Sequence, residues 1–517
     1  MALEYLSDLR SRLFSQAIPA LDNMKLRPDG STENPLMIQF FTWDCLKEDV
    51  SWWKHLEDEI PTLSAMGFTQ IWLPPPNKAA QKTGRGYDAY DLWDLGEFEQ
   101  KGQVATRWGT KEELLHACKV AREHRIDVLV DAVLNHKMGA DRTETFTAVP
   151  VQDENRLKAI GKAREIEGWT AFDFAERKDK YSDLRWTQEH FTGVDWDRRS
   201  KSRQIYRITG GNHKGWSKHV DRELGNYDYL LGADIDHRHP AAEEDLLRWG
   251  QWVLQTTGAI GFRLDAIKHI DRNFLLNFLR TVRQSTDPRM FAVSEYWSGD
   301  VKRALPYIRH FKGQTAFFDV PLHMNFHTAS CLGSKFDLRT IMSKTIVKAK
   351  PGDAVTFVDN HDTVVGQSLE SWVGDNFKLQ AYALILLRPG GYPCIFYGDL
   401  YPNADCYNHD IARGVRLLIE ARKMFAYGSI EEYFEDKNCI GFVRTGDALH
   451  NGCVTVVSNH EARTDQVHSM RMNVGKANGG AVFRSFLSSE GRTEIDDKGW
   501  GRFSCVSGTV QVWVKIE

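Results

Sequence analysis

The sequence predicts an α/β protein built on a (β/α)8 TIM barrel, with a β-rich domain inserted after the third strand and a C-terminal antiparallel β-sandwich. Eight short apolar runs alternate with segments of helical periodicity, one connection between runs is far longer than the others, and alternating apolar residues fill the last part of the chain. Parallel strands joined by helices predict the barrel, and the other two features predict the added domains.

The eight candidate strands are short and rich in β-branched and aromatic residues, which is typical of the buried strands of a parallel sheet. Segments between them, such as 111–124 and 273–284, repeat apolar residues at the spacing of an amphipathic helix. The candidate strands occupy residues 35–41, 68–73, 126–134, 259–266, 289–295, 315–320, 354–359 and 392–398.

The connection between the third and fourth strands is too long for a structureless loop in a compact protein. It is rich in Trp, Asp, Gly and Tyr, so we predict an irregular, mostly β domain that could hold a metal ion. After about residue 427 the pattern changes to alternating apolar residues with glycine turns. We therefore divide the chain into a first barrel part at 1–136, an inserted domain at 137–240, a second barrel part at 241–426 and a C-terminal domain at 427–517.

Composition limits the partners that the chain is expected to have. The 66 basic and 70 acidic residues give a net charge of −4, so we expect no nucleic acid partner, and no apolar run is long enough to predict a membrane span. Residues 1–14 lack the apolar core of a secretory signal, which favours a cytoplasmic location, although a mature secreted enzyme would begin in the same way. We expect a monomer whose eight scattered cysteines are reduced.

Acidic residues follow several of the predicted strands, at the edge where barrel enzymes form their active sites. The third strand leads through Asp131 to Asn135 and His136, and acids also end the fourth, fifth and seventh strands. Each acid alone would more often be a helix cap or a surface residue. Their convergence on one edge predicts a catalytic site that contains Asp265, Glu295 and Asp362.

Cleavage of a glycosidic bond requires one carboxylic acid to protonate the leaving oxygen and one carboxylate to meet the developing positive charge. Arg263 precedes Asp265 by two residues, so both side chains lie on the same side of the strand, and the guanidinium would keep Asp265 ionised as a nucleophile. The alternative is that Arg263 and Asp265 form an ion pair with a purely structural role. Glu295 lies among apolar and aromatic residues, which would raise its pKa and suit a general acid.

Five segments resemble the motifs of the α-amylase family, glycoside hydrolase family 13, and they occur in the family's order. Two further segments, GYDAYDLWDLGEF and YSDLRWTQEHFTGVDWD, resemble liquefying bacterial α-amylases and their intracellular fungal relatives. The resemblance covers nearly the whole chain. The five motif segments are DAVLNH, LLGADIDHRHP, GFRLDAIKHI, VSEYW and FVDNHD.

The resemblance implies a retaining mechanism with Asp265 as nucleophile and Glu295 as general acid and base. It implies that Asp362 is a third carboxylate, which binds sugar hydroxyls and stabilises the transition state. It also implies a set of substrate-binding residues on both sides of the scissile bond. Without the matching motifs, a histidine or tyrosine would more often be a structural residue than a substrate-binding one. The implied substrate-binding residues are Tyr87, His136, Arg263, Lys268, Trp297 and His361.

The resemblance implies one Ca2+ site between the inserted domain and the barrel, because calcium prefers hard oxygen ligands. Two of the implied ligands, Asp228 and Asp234, could equally be turn residues whose side chains bond their own backbone. The implied ligands are Asn135, Asp228, Asp234 and the backbone carbonyl of His269.

Liquefying amylases hold a further metal cluster nearby, which Asp195 and Asp236 match. Ser217 and Arg238, however, stand where the pattern of that cluster has acids. Because an arginine repels a cation, we predict a single calcium ion.

These observations predict an endo-acting α-1,4-glucan hydrolase that cleaves starch, glycogen or maltodextrins. One alternative is a 4-α-glucanotransferase, in which a sugar hydroxyl replaces water, because the same carboxylates serve both reactions. Another alternative is a non-catalytic glucan-binding protein, which would be expected to have lost at least one of the three carboxylates. All three are present in this sequence.

Overall fold

The eight predicted strands form a closed, parallel barrel. The structure is a computed structural model that describes residues 18–461, 466–488 and 491–516, so the segment 1–14 used above lies outside the described residues. Each strand pairs with the next one in the chain, and the eighth pairs with the first. The barrel strands are Met37–Gln39, Gln70–Trp72, Asp127–Ala132, Gly261–Leu264, Phe291–Ser294, Ala316–Phe318, Ala354–Phe357 and Tyr392–Phe396.

One long helix follows each barrel strand, and the two helices that periodicity predicted begin and end within one residue of their expected bounds. In the described part of the chain, no helix has both the length and the apolar character needed to cross a membrane. Short helices occupy Ala20–Asn23, Ile346–Ala349 and Tyr397–Leu400. The long helices are Trp52–Met66, Lys111–Glu123, Pro240–Thr257, Arg272–Ser285, Val301–Phe311, Val320–Leu332, Asp375–Leu387 and His409–Phe425.

Local sequence signals determine where these helices begin and end. A capping box opens Lys111–Glu123, because Thr110 Oγ1 accepts from the Glu113 N–H and the Glu113 carboxylate accepts from the Thr110 N–H at 2.8 Å. The helix Trp52–Met66 ends at Gly67, whose φ of 93° lies in the left-handed region that glycine adopts without strain. Both signals are independent of the barrel that the helices surround.

The chain between the third and fourth barrel strands forms a six-stranded sheet in which every pairing is antiparallel. Its first strand begins only four residues after the third barrel strand ends, so the sheet is attached at the carboxyl edge of the barrel. In spatial order its strands are His136–Lys137, Ala233–Ile235, Phe191–Asp197, Ser202–Ile208, Arg142–Pro150 and Arg164–Ala171. A separate hairpin, Lys78–Ala79 with Ala89–Asp91, follows the second barrel strand.

The C-terminal part of the chain forms two antiparallel sheets. Val454, Phe483, Phe503 and Trp513 are buried in the apolar cluster that these sheets share. The smaller sheet pairs Val467–Asn473 with Trp500–Val506. The larger sheet contains, in spatial order, Ile430–Tyr433, Cys439–Arg444, Cys453–Ser458, Val510–Lys515, Val482–Ser485 and Arg492–Glu494.

Backbone pairing places two of the predicted catalytic acids, Asp265 and Glu295, at one end of the barrel. The Asp265 N–H donates to the carbonyl of Ala132, and the Glu295 N–H donates to the carbonyl of Leu264. The predicted seventh strand is too long, since it ends at Phe357 rather than at residue 359. Asp362 is instead held in a turn in which its N–H donates to Asn360 Oδ1.

We predict that Gly261→Ala destabilises the protein strongly. A Cβ at this position would lie 1.9 Å from the carbonyl oxygen of Phe291, so the fourth and fifth strands would have to separate. We expect a loss of about 2 kcal/mol or more in the free energy of unfolding, measured by chemical denaturation. Gly161→Ala is the control, because its Cβ would make an ordinary contact of 3.5 Å with Pro150 Cγ. Equal stability of the two variants would contradict this account.

Candidate active site

The guanidinium of Arg263 is the centre of the site. Its Nη1 donates to Asp131 Oδ1 at 2.8 Å and to Asp265 Oδ1 at 2.6 Å, and its Nη2 donates to Glu295 Oε2 at 2.7 Å. Only 1% of the Arg263 side chain is exposed, so these charge-assisted bonds are shielded from water. The predicted contact between Arg263 and Asp265 is therefore confirmed, but the same cation also contacts Glu295, which the sequence pattern did not indicate.

Burial raises the pKa values of Asp265 and Glu295, and the Arg263 guanidinium lowers them. Burial raises the pKa of Asp265, and the charge of Asp131 adds to this effect, whereas Arg263 lowers it. Burial likewise raises the pKa of Glu295 above its usual range, with Arg263 opposing, as the apolar sequence around Glu295 predicted. Burial also raises the pKa of Asp362, and the neighbouring Glu295 carboxylate adds to that rise.

The residue after Asp265 has an unusual backbone conformation. Ala266 has a φ of 49°, in the left-handed region that residues with a Cβ rarely adopt. In this conformation the Ala266 N–H donates to Glu295 Oε2 at 3.2 Å. The strained residue thus supplies Glu295 with a second donor besides Arg263.

Asp131 organises the floor of the site, a role that the sequence did not reveal. Its Oδ2 accepts from the Tyr87 hydroxyl at 2.7 Å and from Trp72 Nε1 at 2.9 Å, while its Oδ1 accepts from Arg263. Asp131 is fully buried. Its place at the end of the third strand was visible in the sequence, but its partners lie on the second and fourth strands and on a distant loop.

One wall of the site holds three aromatic rings that lie in nearly parallel planes. The His361 ring lies parallel to Tyr87 at a centroid distance of 5.1 Å and parallel to Trp43 at 5.8 Å. Burial and Arg263 hold the pKa of His361 well below its usual range, so the ring is neutral. Gln39 Nε2 donates to His361 Nδ1 at 2.9 Å, which leaves the hydrogen on Nε2, 3.4 Å from Asp362 Oδ2. Sequence reasoning missed Gln39 and Trp43, which no strand-end acid or matched motif indicated.

On the opposite side, Lys268 connects the barrel to the inserted domain. Its Nζ donates to Glu223 Oε2 at 2.5 Å and to the carbonyl of Trp297 at 3.1 Å. Arg303 contacts the same Glu223 carboxylate at 3.0 Å. His136 is held separately, by a 2.8 Å hydrogen bond between its Nε2 and the carbonyl of Tyr87. These contacts restrain the side chains that face the cavity.

All but one of the predicted catalytic and substrate-binding residues surround one cavity of about 760 Å3. Arg263 does not line it, because this side chain lies beneath the carboxylates that it contacts. The other predicted residues do line it, namely Asp265, Glu295, Asp362, Tyr87, His136, Lys268, Trp297 and His361.

The segments that carry the predicted calcium ligands contact one another. Asn135 Nδ2 donates to Asp234 Oδ1 at 3.4 Å, and His269 Nδ1 donates to the carbonyl of Tyr227, the residue before Asp228. Both aspartates are buried, and neither forms a salt bridge within the described part of the chain. Asn135 Oδ1 is also buried, without a hydrogen-bond partner among the described residues. A buried amide oxygen without such a partner, close to buried carboxylates, fits a hard cation.

At the position of the further metal cluster, by contrast, Asp236 and Ser217 already have protein partners. Arg238 Nε donates to Asp236 Oδ1 at 2.7 Å and Arg238 Nη2 to Asp236 Oδ2 at 3.0 Å, so the arginine engages both oxygens of this carboxylate. The hydroxyl of Ser217 donates to Asp271 Oδ2 at 2.7 Å. No group of three or more His, Cys, Asp or Glu side chains in the described residues is arranged to hold a metal ion.

Comparison with known proteins identifies the family. Residues 47–410 match the sequence profile described as alpha amylase, catalytic domain. An α-amylase of Geobacillus stearothermophilus is 42% identical over 484 residues, which cover 93% of this chain and 87% of that protein. The chain belongs to the α-amylase family. The cytoplasmic α-amylase of Escherichia coli (strain K12) is 39% identical, and the alignment covers 93% of this chain and 99% of that protein.

The likeness extends to solved structures of α-amylases. The α-amylase of Geobacillus thermoleovorans, solved in complex with acarbose, superposes with a TM-score of 0.61. The superposition covers 93% of this chain and 98% of that chain. At 17% identity, that likeness concerns the fold alone. As a member of the α-amylase family the protein is a glycoside hydrolase, and the cavity above is its candidate active site.

We predict that Asp131→Asn moves the acid limb of the pH profile of kcat/KM to lower pH. The charge of Asp131 raises the pKa of Asp265, so its removal lowers that pKa, and Asp265 stays ionised in more acidic solution. Loss of the charged partner of Arg263 should also reduce kcat/KM by about tenfold or more. Profiles of both proteins between pH 4 and 9 check this. An acid limb that stays in place or moves to higher pH would contradict the proposed charge coupling.

Proposed function

We propose that this α-amylase family member is an endo-acting hydrolase that cleaves internal α-1,4 bonds of starch, glycogen or maltodextrins with retention at the anomeric carbon. The observation that carries the proposal is the cavity in which Asp265, Glu295 and Asp362 face the same space. Such a set supplies a nucleophile, a proton donor and a further group for sugar hydroxyls.

In the proposed first step, Asp265 attacks the anomeric carbon while Glu295 gives its proton to the glycosidic oxygen. The 2.6 Å bond from Arg263 favours the ionised form of Asp265. Burial favours the protonated form of Glu295, as a general acid requires. The products of this step are a glycosyl ester on Asp265 and a released glucan with a free hydroxyl.

In the second step, Glu295 takes a proton from a water molecule that attacks the anomeric carbon and releases Asp265. Asp362 and the neutral His361 would hold hydroxyls of the same sugar, since both groups line the cavity. Tyr87 would provide a flat aromatic face beneath the ring. His136, Lys268 and Trp297 would bind the sugars on either side of the scissile bond.

A 4-α-glucanotransferase would use the same carboxylates, because a sugar hydroxyl replaces water in the second step. Product lengths distinguish the two reactions. When maltoheptaose is incubated with the protein, hydrolysis yields only shorter chains, whereas transfer also yields chains longer than the substrate. Chromatography of the products over time decides between them.

We predict that Asp265→Asn abolishes hydrolysis while the fold is retained. The amide cannot form the glycosyl ester, so we expect kcat to fall by at least about 10^4-fold. Amylose hydrolysis measures the loss, and thermal unfolding serves as the control for the fold. A variant that retains turnover would show that Asp265 is not the nucleophile, and a glucan-binding protein without catalysis would show no turnover in either form.

We also propose that one calcium ion is held by Asn135, Asp228, Asp234 and the carbonyl of His269. Asn135 Oδ1, which has no hydrogen-bond partner among the described residues, and the two buried carboxylates support this site. A bound ion would tie the inserted domain to the barrel, because its ligands come from both. Arg238 already neutralises Asp236, which argues against further ions beside it.

We predict that a chelator lowers the melting temperature and that added calcium restores it. Binding to the folded state alone stabilises a protein by about 4 kcal/mol when the free ligand is a thousandfold above Kd. Elemental analysis of the dialysed protein should give one calcium per chain, and Asn135→Ala should require more calcium for the same melting temperature. Two or more tightly held ions per chain, or indifference to the chelator, would overturn the single-ion site.

We further propose a cytoplasmic monomer. One similar protein is named a cytoplasmic α-amylase. The domain bounds at residues 136, 240 and 426 stay predictions, which limited proteolysis can test.

A further inference from the structure

A second buried cation, Lys378, has no part in the mechanism proposed above. Its side chain is 0% exposed, and its Nζ lies 2.9 Å from Asp359 Oδ2 and 2.9 Å from Asp399 Oδ1. Both carboxylates are buried as well, and Lys378 does not line the active-site cavity. A charged side chain is expensive to bury, even with partners. The position of Lys378 between two buried acids therefore calls for a role.

These three charged side chains join three separate segments of the barrel. Lys378 belongs to the long helix after the seventh strand, and Asp359 follows the seventh strand itself. Asp399 lies in the short helix Tyr397–Leu400, which follows the eighth strand, and its Oδ2 also accepts from the Tyr382 hydroxyl at 2.6 Å. The ammonium is thus held between two carboxylates on different segments, and a shift of either segment would break an ion pair.

Asp359 connects this ion cluster to the turn that carries Asp362. Its Oδ1 accepts from Thr363 Oγ1 at 2.8 Å, and the same hydroxyl oxygen accepts from the Asn360 N–H at 3.0 Å. Asn360 Oδ1 accepts from the N–H groups of Asp362 at 2.9 Å and of Thr363 at 3.1 Å. The turn is therefore closed by its own hydrogen bonds, and the Asp359 carboxylate ties it to the buried ammonium.

The charge of Lys378 also strengthens the link between Asp359 and the turn. Burial raises the pKa of Asp359 to about 7, while Lys378 opposes this rise and Asp399 adds to it. The ammonium thus favours the ionised form of Asp359. Because an ionised carboxylate is a stronger acceptor than a protonated one, the hydrogen bond from Thr363 gains strength from the presence of Lys378.

We propose that Lys378 is a positioning residue for the hydrolysis, which fixes Asp359 and Thr363 so that Asp362 is held at the active-site cavity. The proposal rests on the role of Asp362 in the function proposed above. Lys378 touches neither the cavity nor the substrate, so its effect on turnover must pass through the turn. It predicts that the charge of Lys378 matters for turnover only as long as Asp362 keeps its carboxylate.

The test is a double-mutant cycle of Lys378→Met and Asp362→Asn, with maltoheptaose as the substrate. We expect Lys378→Met to lower kcat/KM by about tenfold or more, mainly through kcat, because a displaced Asp362 no longer stabilises the transition state. In the Asp362→Asn background the same substitution should lower kcat/KM by less than about twofold. Thermal unfolding measures stability separately, and Lys378→Met should lower the melting temperature equally in both backgrounds.

Thr363→Val is a second variant, which keeps every charge and nearly the shape of the side chain. It removes the hydrogen bond to Asp359, so kcat/KM should fall by about threefold or more, again only while Asp362 is intact. Thr170→Val is the matched control, because this equally buried hydroxyl donates to Glu144 Oε2 at 2.7 Å in the inserted sheet. The control should keep kcat/KM within about twofold of the parent. If the lysine variant does not fold, Thr363→Val and its control carry the test.

An equal loss of kcat/KM in both backgrounds would overturn the proposal, because Lys378 would then support the fold as a whole. Full turnover in Lys378→Met would overturn it too. A fully active Asp362→Asn variant would contradict the role of Asp362 and, with it, this inference. If the parent protein does not cleave maltoheptaose, the proposed function fails. The same cycle in the Kd of maltoheptaose, measured by calorimetry, then decides whether Lys378 acts through Asp362.

Discussion

The buried guanidinium of Arg263 is the interaction on which the active site depends. Three carboxylates at the ends of three adjacent strands converge on it, so their mutual repulsion is offset by one permanently charged group. A buried cation with several anionic partners is costly to disturb, because removing one partner leaves uncompensated charge in a medium of low dielectric constant. The parallel register of the third, fourth and fifth strands is what brings these groups together.

Because the cation is shared, the different roles of the carboxylates must come from their other contacts. Asp131 receives two further hydrogen bonds, from Trp72 and Tyr87, and is occupied as a structural acceptor. Glu295 is buried and receives one more donor, the N–H of the strained Ala266. Asp265 accepts from Arg263 through one oxygen and lines the cavity. One arginine therefore supports three acids that differ in their other hydrogen-bond partners.

The inserted domain completes the site in several ways. It supplies Glu223, which restrains Lys268, and two of the proposed calcium ligands at its junction with the barrel. It also contains Arg238, which engages a carboxylate that matches the metal cluster of liquefying amylases. The barrel holds the reacting groups, and the insertion determines what surrounds them.

The sequence by itself predicted the barrel, because eight apolar runs and the helical periodicity between them are local patterns that fit parallel strands joined by crossover helices. It also located Asp265 and Glu295, since each directly follows such a run. Only the tertiary structure decided that Arg263 contacts Glu295 as well as Asp265, and that Asp362 lies in a turn beyond its strand. Contacts of this kind join residues far apart in the chain, and side-chain direction beyond a strand end depends on turns that no periodicity encodes.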